Sequence, residues 1–370
     1  MKRIIVQYGG STISELYDKN LSKIKELIKK ITEQEKVKFV ARKNKRTKTI
    51  IKRINDVWRK YLNYLLEDDL LQRYLTFEIG KDKNETKNFY NENLERCNIA
   101  QELKEFLIKY FFCYKNYKDG KIVDSTICDR MIILRNRADD TCFCRERHEK
   151  LLMGIKACPY CNLEYLERLK DNKGKDIKNY TFDHYASKEK YPFFAISLYN
   201  LIPTCTICNS IIKGKVDFLE SKEEYIQPYF DDFDDIARFE IQLNGIPENI
   251  NDFPGQFTIE LKKKNNSVND NDFKKAENTV KFFKVKERIQ QNHSDYIQEI
   301  LVKIKSYSSD YSKSIEAMGF NASQRESIIF GNYLAPEDIN KRPLSKLTID
   351  IHNQFRYMIY KGDSPHNDVE

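Results

Sequence analysis

The segments Cys158-Pro-Tyr-Cys161 and Cys205-Thr-Ile-Cys208 enclose a 43-residue stretch of this 370-residue chain. Two C-x-x-C pairs at such a separation predict one tetrahedral zinc ion bound by four thiolates. Four thiolates leave no open coordination position, so we expect this zinc to be structural. A redox dithiol is disfavoured, because two pairs are present and no thioredoxin-like pattern surrounds either of them.

Polar residues suited to hydrolysis lie between and just after the two cysteine pairs. Asp183 and His184 follow a short strand pattern at Tyr180-Thr181-Phe182, Asn200 precedes Leu201-Ile202-Pro203, and Asn209 directly follows Cys208. A carboxylate and an amide oxygen suit a hard divalent cation, and a neutral histidine can take a proton from water. Taken alone, each asparagine is also an ordinary cap or turn residue.

Two lysines extend this group. Lys213 lies one helical turn beyond Asn209, and Lys215 follows closely. We expect both to contact phosphate groups of a nucleic acid.

As a set, these residues resemble the zinc-supported HNH endonucleases of the ββα-metal class. The resemblance covers about residues 155–217. It implies that Asp183 and Asn209 bind a catalytic Mg²⁺ or Mn²⁺ ion and that His184 is the general base. Asn200 would steady the hairpin. Many members of the class have histidine where this chain has Asn209.

The function implied by this resemblance is metal-dependent hydrolysis of phosphodiester bonds, with DNA the favoured substrate. The motif spacing also resembles the HNH subunits of Septu-type antiphage systems, which implies an effector in antiviral defence and a partner of the ABC-like ATPase class. Two alternatives stay open: an HNH nuclease directed at RNA such as tRNA, and a zinc-knuckle module that binds nucleic acid without chemistry.

The composition agrees with a globular protein rather than a disordered one, with 40% apolar and 32% charged residues. We find no run long enough to span a membrane and no export signal, so we expect a cytoplasmic protein with no membrane partner. The nine cysteines are then thiols or metal ligands rather than disulfides. Cys142-Phe143-Cys144 is a weak candidate for a second metal site, since no partner pair accompanies it.

The predicted fold is α+β, a mostly helical chain with an embedded zinc-stabilised ββα core. We divide it into a helical region at 1–150 that binds a partner or nucleic acid, the nuclease core at 151–230, and a C-terminal region at 231–370. The net charge is +8, and seven basic residues fall between Arg42 and Arg53. This cluster is either a phosphate-contacting surface or a solvated helix face.

Hydrophobic periodicity assigns most of the remaining elements. Helical spacing occurs at residues 21–31, 50–78, 103–112, 129–137, 272–318 and 344–360. Alternating patterns at 237–243 and 257–261 predict a small β-hairpin, and the polar residues 80–88 predict a loop.

Overall fold

A computed structural model describes residues 1–4, 70–95, 154–172, 176–191, 197–243, 257–306 and 317–359, together with short strands and isolated positions elsewhere. Within these residues the fold combines helices with small antiparallel sheets, which confirms the predicted α+β class. No helix in these ranges is both long and apolar enough to cross a membrane.

The strands of the described residues form five two-stranded antiparallel sheets, each joining consecutive strands. In chain order they are β1 (Lys36–Lys43), β2 (Arg46–Arg53), β3 (Tyr117–Lys118), β4 (Lys121–Ile122), β5 (Arg168–Lys170), β6 (Asp176–Lys178), β7 (Tyr180–His184), β8 (Leu201–Cys205), β9 (Ala237–Leu243) and β10 (Phe257–Lys263).

The helices of the same residues include one, α3, with π geometry. In chain order they are α1 (Leu70–Thr76), α2 (Lys83–Glu95), α3 (Ile207–Lys213), α4 (Phe233–Ile236), α5 (Asp270–Phe282), α6 (Val285–Asn292), α7 (Ser294–Ser306), α8 (Ala322–Phe330) and α9 (Ser345–Ile359). Short 3₁₀ turns at Leu198–Asn200 and Pro336–Lys341 accompany them.

Two predictions for the N-terminal half are wrong in part. The helix predicted at 50–78 begins as strand β2, in which the β-branched residues Thr49, Ile50 and Ile51 favour extended backbone. The basic cluster between Arg42 and Arg53 therefore lies on a hairpin rather than on a helix face.

The loop predicted at 80–88 is the second error, because it becomes helix α2 at Lys83. Asp82 caps this helix: its carboxylate accepts a hydrogen bond from the Glu85 amide at 2.8 Å. The polar composition of residues 80–88 therefore gave no sign that a helix begins there.

The described residues confirm the predictions for the C-terminal half, and residues 307–313 of the predicted helical stretch lie outside them. Strands β9 and β10 form the expected hairpin, and α9 covers the last predicted helix. The long helical stretch is divided into α5, α6 and α7 by Lys284, whose φ of 51° is left-handed, and by His293. The helices predicted at 103–112 and 129–137 and most of that at 21–31, together with Cys142 and Cys144, lie outside the described residues.

One hydrophobic core joins these elements around the β7–β8 hairpin. Its buried residues come from α1 and α2, from both cysteine pairs, from β8, and from the C-terminal helices. Gly80 shows how closely these parts pack, because a Cβ atom added there would lie 2.5 Å from the Tyr185 ring. The N-terminal helices therefore cover the end of strand β7.

Asn162 links the first cysteine pair to the C-terminal helix. It has a left-handed φ of 53°, its side chain donates to the Ile339 carbonyl at 2.9 Å and accepts from the Lys346 amide at 3.0 Å, and its carbonyl accepts from the Leu344 amide at 2.6 Å. The turn that follows Cys161 is therefore tied directly to the start of α9.

We expect Asn162→Ala to lower the free energy of unfolding by about 2–3 kcal/mol, since it removes buried side-chain hydrogen bonds and places alanine in left-handed backbone. Urea unfolding of the zinc-loaded protein measures this. Asn172→Ala, at an exposed position, is the control and should change stability by less than about 0.5 kcal/mol. Equal effects of the two substitutions would contradict the assignment.

Candidate active site and metal centre

The four cysteines of the two C-x-x-C pairs meet at one buried point. Their sulfur atoms all lie within 4.8 Å of one another, and the sulfurs of Cys161 and Cys205 are 4.0 Å apart. A tetrahedral zinc ion with Zn–S bonds of about 2.3 Å would require sulfurs about 3.8 Å apart. The donor set and its spacing therefore fit a structural zinc ion, as predicted.

Backbone amides support both knuckles. The Leu163 amide donates to the Cys161 sulfur and the Cys208 amide donates to the Cys205 sulfur, each at 3.4 Å. Amide donors of this kind stabilise thiolate charge. The backbone of each turn therefore donates a hydrogen bond to a sulfur atom of that turn.

The pKa values of the cysteine thiols indicate how a bound metal ion would affect the cluster. Burial raises the pKa of Cys158 and Cys208 well above the ordinary value. For Cys161, burial is outweighed by hydrogen bonds from the other thiols and by the Arg288 charge, which lower its pKa. A bound metal ion deprotonates coordinating thiols, and its positive charge offsets the cost of burying the resulting thiolates.

Arg288, which the sequence analysis missed, is a cation that donates directly to the cysteine cluster. From helix α6 its guanidinium donates to the Cys208 sulfur at 3.5 Å and contacts the Glu164 carboxylate at 3.2 Å. Glu164 follows the first knuckle directly, and its carbonyl accepts from the Cys158 amide at 3.0 Å. Arg288 therefore bridges both knuckles. A basic residue on a polar helix gave no signal of this role in the sequence.

The strands that carry the predicted catalytic residues form the expected hairpin. In the β7–β8 register, His184 pairs with Leu201 and Asp183 pairs with Ile202. Strand alternation places Asp183 and His184 on opposite faces. His184 is 9% exposed.

Asn200 fastens the chain just beyond His184. Its side-chain oxygen accepts from the Ala186 amide at 2.7 Å, and its side-chain nitrogen donates to the carbonyls of Ala186 and Phe194 at 3.0 and 2.9 Å. Its own carbonyl accepts from the Tyr185 amide at 3.2 Å. This fully buried amide therefore steadies the loop that closes the hairpin after His184.

Helix α3 lies against the Asp183 face of strand β7. The Asn209 side chain donates to the Thr181 hydroxyl at 2.7 Å, and the Lys213 ammonium donates to the Asp183 carboxylate at 2.8 Å. The π geometry is shown by the bond from the Gly214 amide to the Asn209 carbonyl at 2.8 Å. Two contacts, four residues apart on the helix and two apart on the strand, thus dock α3 on the hairpin.

Asp183 is held from two sides. Lys213 donates to its Oδ1 atom, and the Tyr160 hydroxyl donates to its Oδ2 atom at 2.9 Å. Lys213 also donates to the His184 carbonyl at 2.9 Å and lies 4.7 Å from the centre of the Phe218 ring. Burial, and then the neighbouring Asp183 charge, raise the pKa of Tyr160 well above its ordinary value, so Tyr160 stays a hydroxyl donor.

These contacts correct the role predicted for Lys213. Its side chain is 3% exposed and is fully engaged inside the protein, so it does not reach a phosphate. It positions the side chain of Asp183 and the main chain of His184 instead. Lys215 is exposed and stays available for the predicted phosphate contact. The position of Tyr160 inside the Cys-Pro-Tyr-Cys turn was the one sequence signal of its proximity to the metal centre.

Searches against protein-family models, curated proteins and solved structures returned no match for this chain.

We expect Arg288→Gln to release zinc to a chromogenic chelator about ten times faster than the wild type, because it removes a donor and a charge beside the thiolates. Arg288→Lys should release zinc at an intermediate rate. Arg238→Gln, on half-exposed β9, is the matched control and should leave the rate unchanged, while Cys208→Ser should lose the metal. Equal release rates for wild type and Arg288→Gln would show that Arg288 has no influence on the centre.

The buried Asp183–Lys213 pair predicts a strong energetic coupling. Lys213→Met leaves a buried carboxylate without its cation and should cost about 3–5 kcal/mol of unfolding free energy. Adding Asp183→Asn to that variant should recover part of the loss, as measured by urea unfolding at saturating zinc. The exposed pair Lys263 and Asp270, 2.6 Å apart, is the control, with coupling below about 1 kcal/mol. Additive losses at the buried pair would refute the coupling.

Proposed function

We propose that this protein is an HNH-type endonuclease that hydrolyses phosphodiester bonds of nucleic acid, with DNA the favoured substrate. One observation carries the proposal: the β7–β8 hairpin and helix α3 stand on the four-cysteine cluster in ββα order. Asp183, His184, Asn200 and Asn209 all belong to this unit, and the first cysteine pair joins it through Tyr160.

His184 is the proposed general base. A neutral imidazole takes a proton from the attacking water, and its efficiency is highest when its pKa lies near the working pH. Its main chain is fixed by Lys213, and the residues after it are fixed by Asn200. Such fixed placement is what a base needs in order to act on one defined water molecule.

The resemblance assigns a catalytic Mg²⁺ or Mn²⁺ ion to Asp183 and Asn209, but the present arrangement does not fit one. Both carboxylate oxygens of Asp183 already accept hydrogen bonds, one from the Lys213 ammonium, and Asn209 is bonded to Thr181. A divalent cation beside Asp183 would meet the Lys213 charge at close range, so the two cations exclude each other from the same carboxylate oxygen.

The engaged state of Asp183 favours a second candidate, a zinc-knuckle module that binds nucleic acid without cleaving it. In that case the Asp183–Lys213 pair is purely structural. The choice between DNA and RNA depends on groove shape and contacts to the 2′-hydroxyl rather than on these residues.

The Septu-type resemblance supports a further part of the proposal, that the chain acts as an effector in antiphage defence beside an ABC-like ATPase subunit. Copurification of an ATPase with the full-length chain would support this partner. A fully active nuclease without any partner would count against it.

The test compares wild type with His184→Ala on supercoiled plasmid and on total RNA, with Mg²⁺ or Mn²⁺ added. Loss of the general base should slow cleavage by at least about a hundredfold, because positioned bases contribute factors of this size. The substrate that the wild type cuts decides between DNA and RNA.

Zinc content and circular dichroism are measured on the same samples. His184→Ala should keep its zinc and its fold, which separates lost chemistry from lost structure. Cleavage by His184→Ala at the wild-type rate would contradict the proposed role of His184 as general base and with it the nuclease proposal. Binding of nucleic acid by wild type, with no cleavage under any divalent cation, would select the zinc-knuckle module.

A further inference from the structure

The β1–β2 hairpin carries the densest charge in the chain. Residues 36–53 include nine lysines and arginines and no aspartate or glutamate, whereas the whole chain has 64 basic and 56 acidic residues. The basic residues are Lys36, Lys38, Arg42, Lys43, Lys45, Arg46, Lys48, Lys52 and Arg53. The hairpin therefore concentrates a charge comparable to the net charge of the whole protein.

The strand register sets like charges against each other. Lys36 is directly opposite Arg53, and Lys43 is directly opposite Arg46. Like charges in directly paired positions destabilise a sheet. Such pairs are tolerable when a polyanion neutralises them.

The register also distributes the charge over both faces of the ribbon. Paired residues share a face, and alternate residues along a strand change face. One face takes Lys36, Lys38, Arg42 and Arg53, and the other takes Lys43, Arg46, Lys48 and Lys52. A flat membrane or a flat protein surface can neutralise one face of a ribbon. In a nucleic-acid groove the phosphates lie along both edges of the ribbon, within the length of lysine and arginine side chains from either face.

We propose that the β1–β2 hairpin is a docking surface for duplex nucleic acid and that its basic residues contact the phosphates on the two sides of a groove. The major groove of DNA admits a two-stranded β-ribbon. Eight residues per strand extend about 26 Å, which matches about eight phosphates of one DNA strand. The choice of nucleic acid as the polyanion depends on the proposed endonuclease function, and the hairpin adds a substrate contact separate from the β7–β8 unit.

Two variants test this surface, each made in full-length protein carrying His184→Ala. The first changes Lys43, Arg46, Lys48 and Lys52 to Gln, and the second changes Lys36, Lys38, Arg42 and Arg53 to Gln. The matched control changes four exposed lysines elsewhere to Gln: Lys156, Lys222, Lys274 and Lys281. Binding of a short fluorescein-labelled DNA duplex is followed by anisotropy over a range of KCl concentrations, without divalent cations.

Both hairpin variants should bind the duplex at least about ten times more weakly, and each should reduce the slope of log Kd against log salt by about 2–4, since each lost phosphate contact removes about 0.9. The control should keep both values. Changing Lys43, Lys48 and Lys52 to Arg keeps the charge and should keep binding, which separates charge from folding of the hairpin.

Unchanged affinity and salt slope in both Gln variants would overturn the proposal. It would also be overturned if vesicles of phosphatidylserine and phosphatidylcholine bound the hairpin and the duplex did not. Binding is measured in protein that lacks the proposed general base, His184, so it does not depend on cleavage. The nuclease proposal can therefore fail while the hairpin still binds DNA, and the hairpin proposal can fail while the wild type still cleaves.

Discussion

The four-sulfur cluster is the constraint on which the rest of the structure depends. Closing the 43-residue stretch between Cys161 and Cys205 costs about 4 kcal/mol of chain entropy. A structural zinc ion bound by the four cysteines would contribute about 10–16 kcal/mol, which more than offsets that cost. Strand β8 ends at Cys205 and helix α3 contains Cys208, so both elements take their positions from the cluster.

A buried ion pair then sets the geometry of the candidate site. Two apolar side chains of similar volume would stabilise the fold as well as Asp183 and Lys213 do. The cost of desolvating the two charges cancels much of the attraction between them. What apolar side chains cannot do is bond at once to a carboxylate and to the His184 carbonyl, as the Lys213 ammonium does. The pair is therefore better explained by the placement of Asp183 and His184 than by stability.

The sequence was sufficient for features encoded by local pattern. The cysteine spacing predicted the four-cysteine cluster, alternation predicted β9 and β10, and helical periodicity predicted α5 to α7 and α9. The sequence did not predict contacts between side chains that lie far apart along the chain. The spacing from Asn209 predicts a phosphate contact for Lys213, whereas its bond to Asp183, 30 residues away, leaves no local pattern in the sequence. Arg288 lies 80 residues from Cys208, and no periodicity marks such a pair.

The motif depends on residues far outside it. Phe283 stacks on Tyr160 with ring centroids 4.6 Å apart, and Tyr160 in turn donates to Asp183. Arg288 follows Phe283 closely and donates to the Cys208 sulfur, while Asn162 fastens the first knuckle to α9. Removing the C-terminal helices would leave Tyr160 without its stacking partner and the thiolates without their cation. Residues 155–217 hold the polar groups, but helices from the last third of the chain decide where those groups lie.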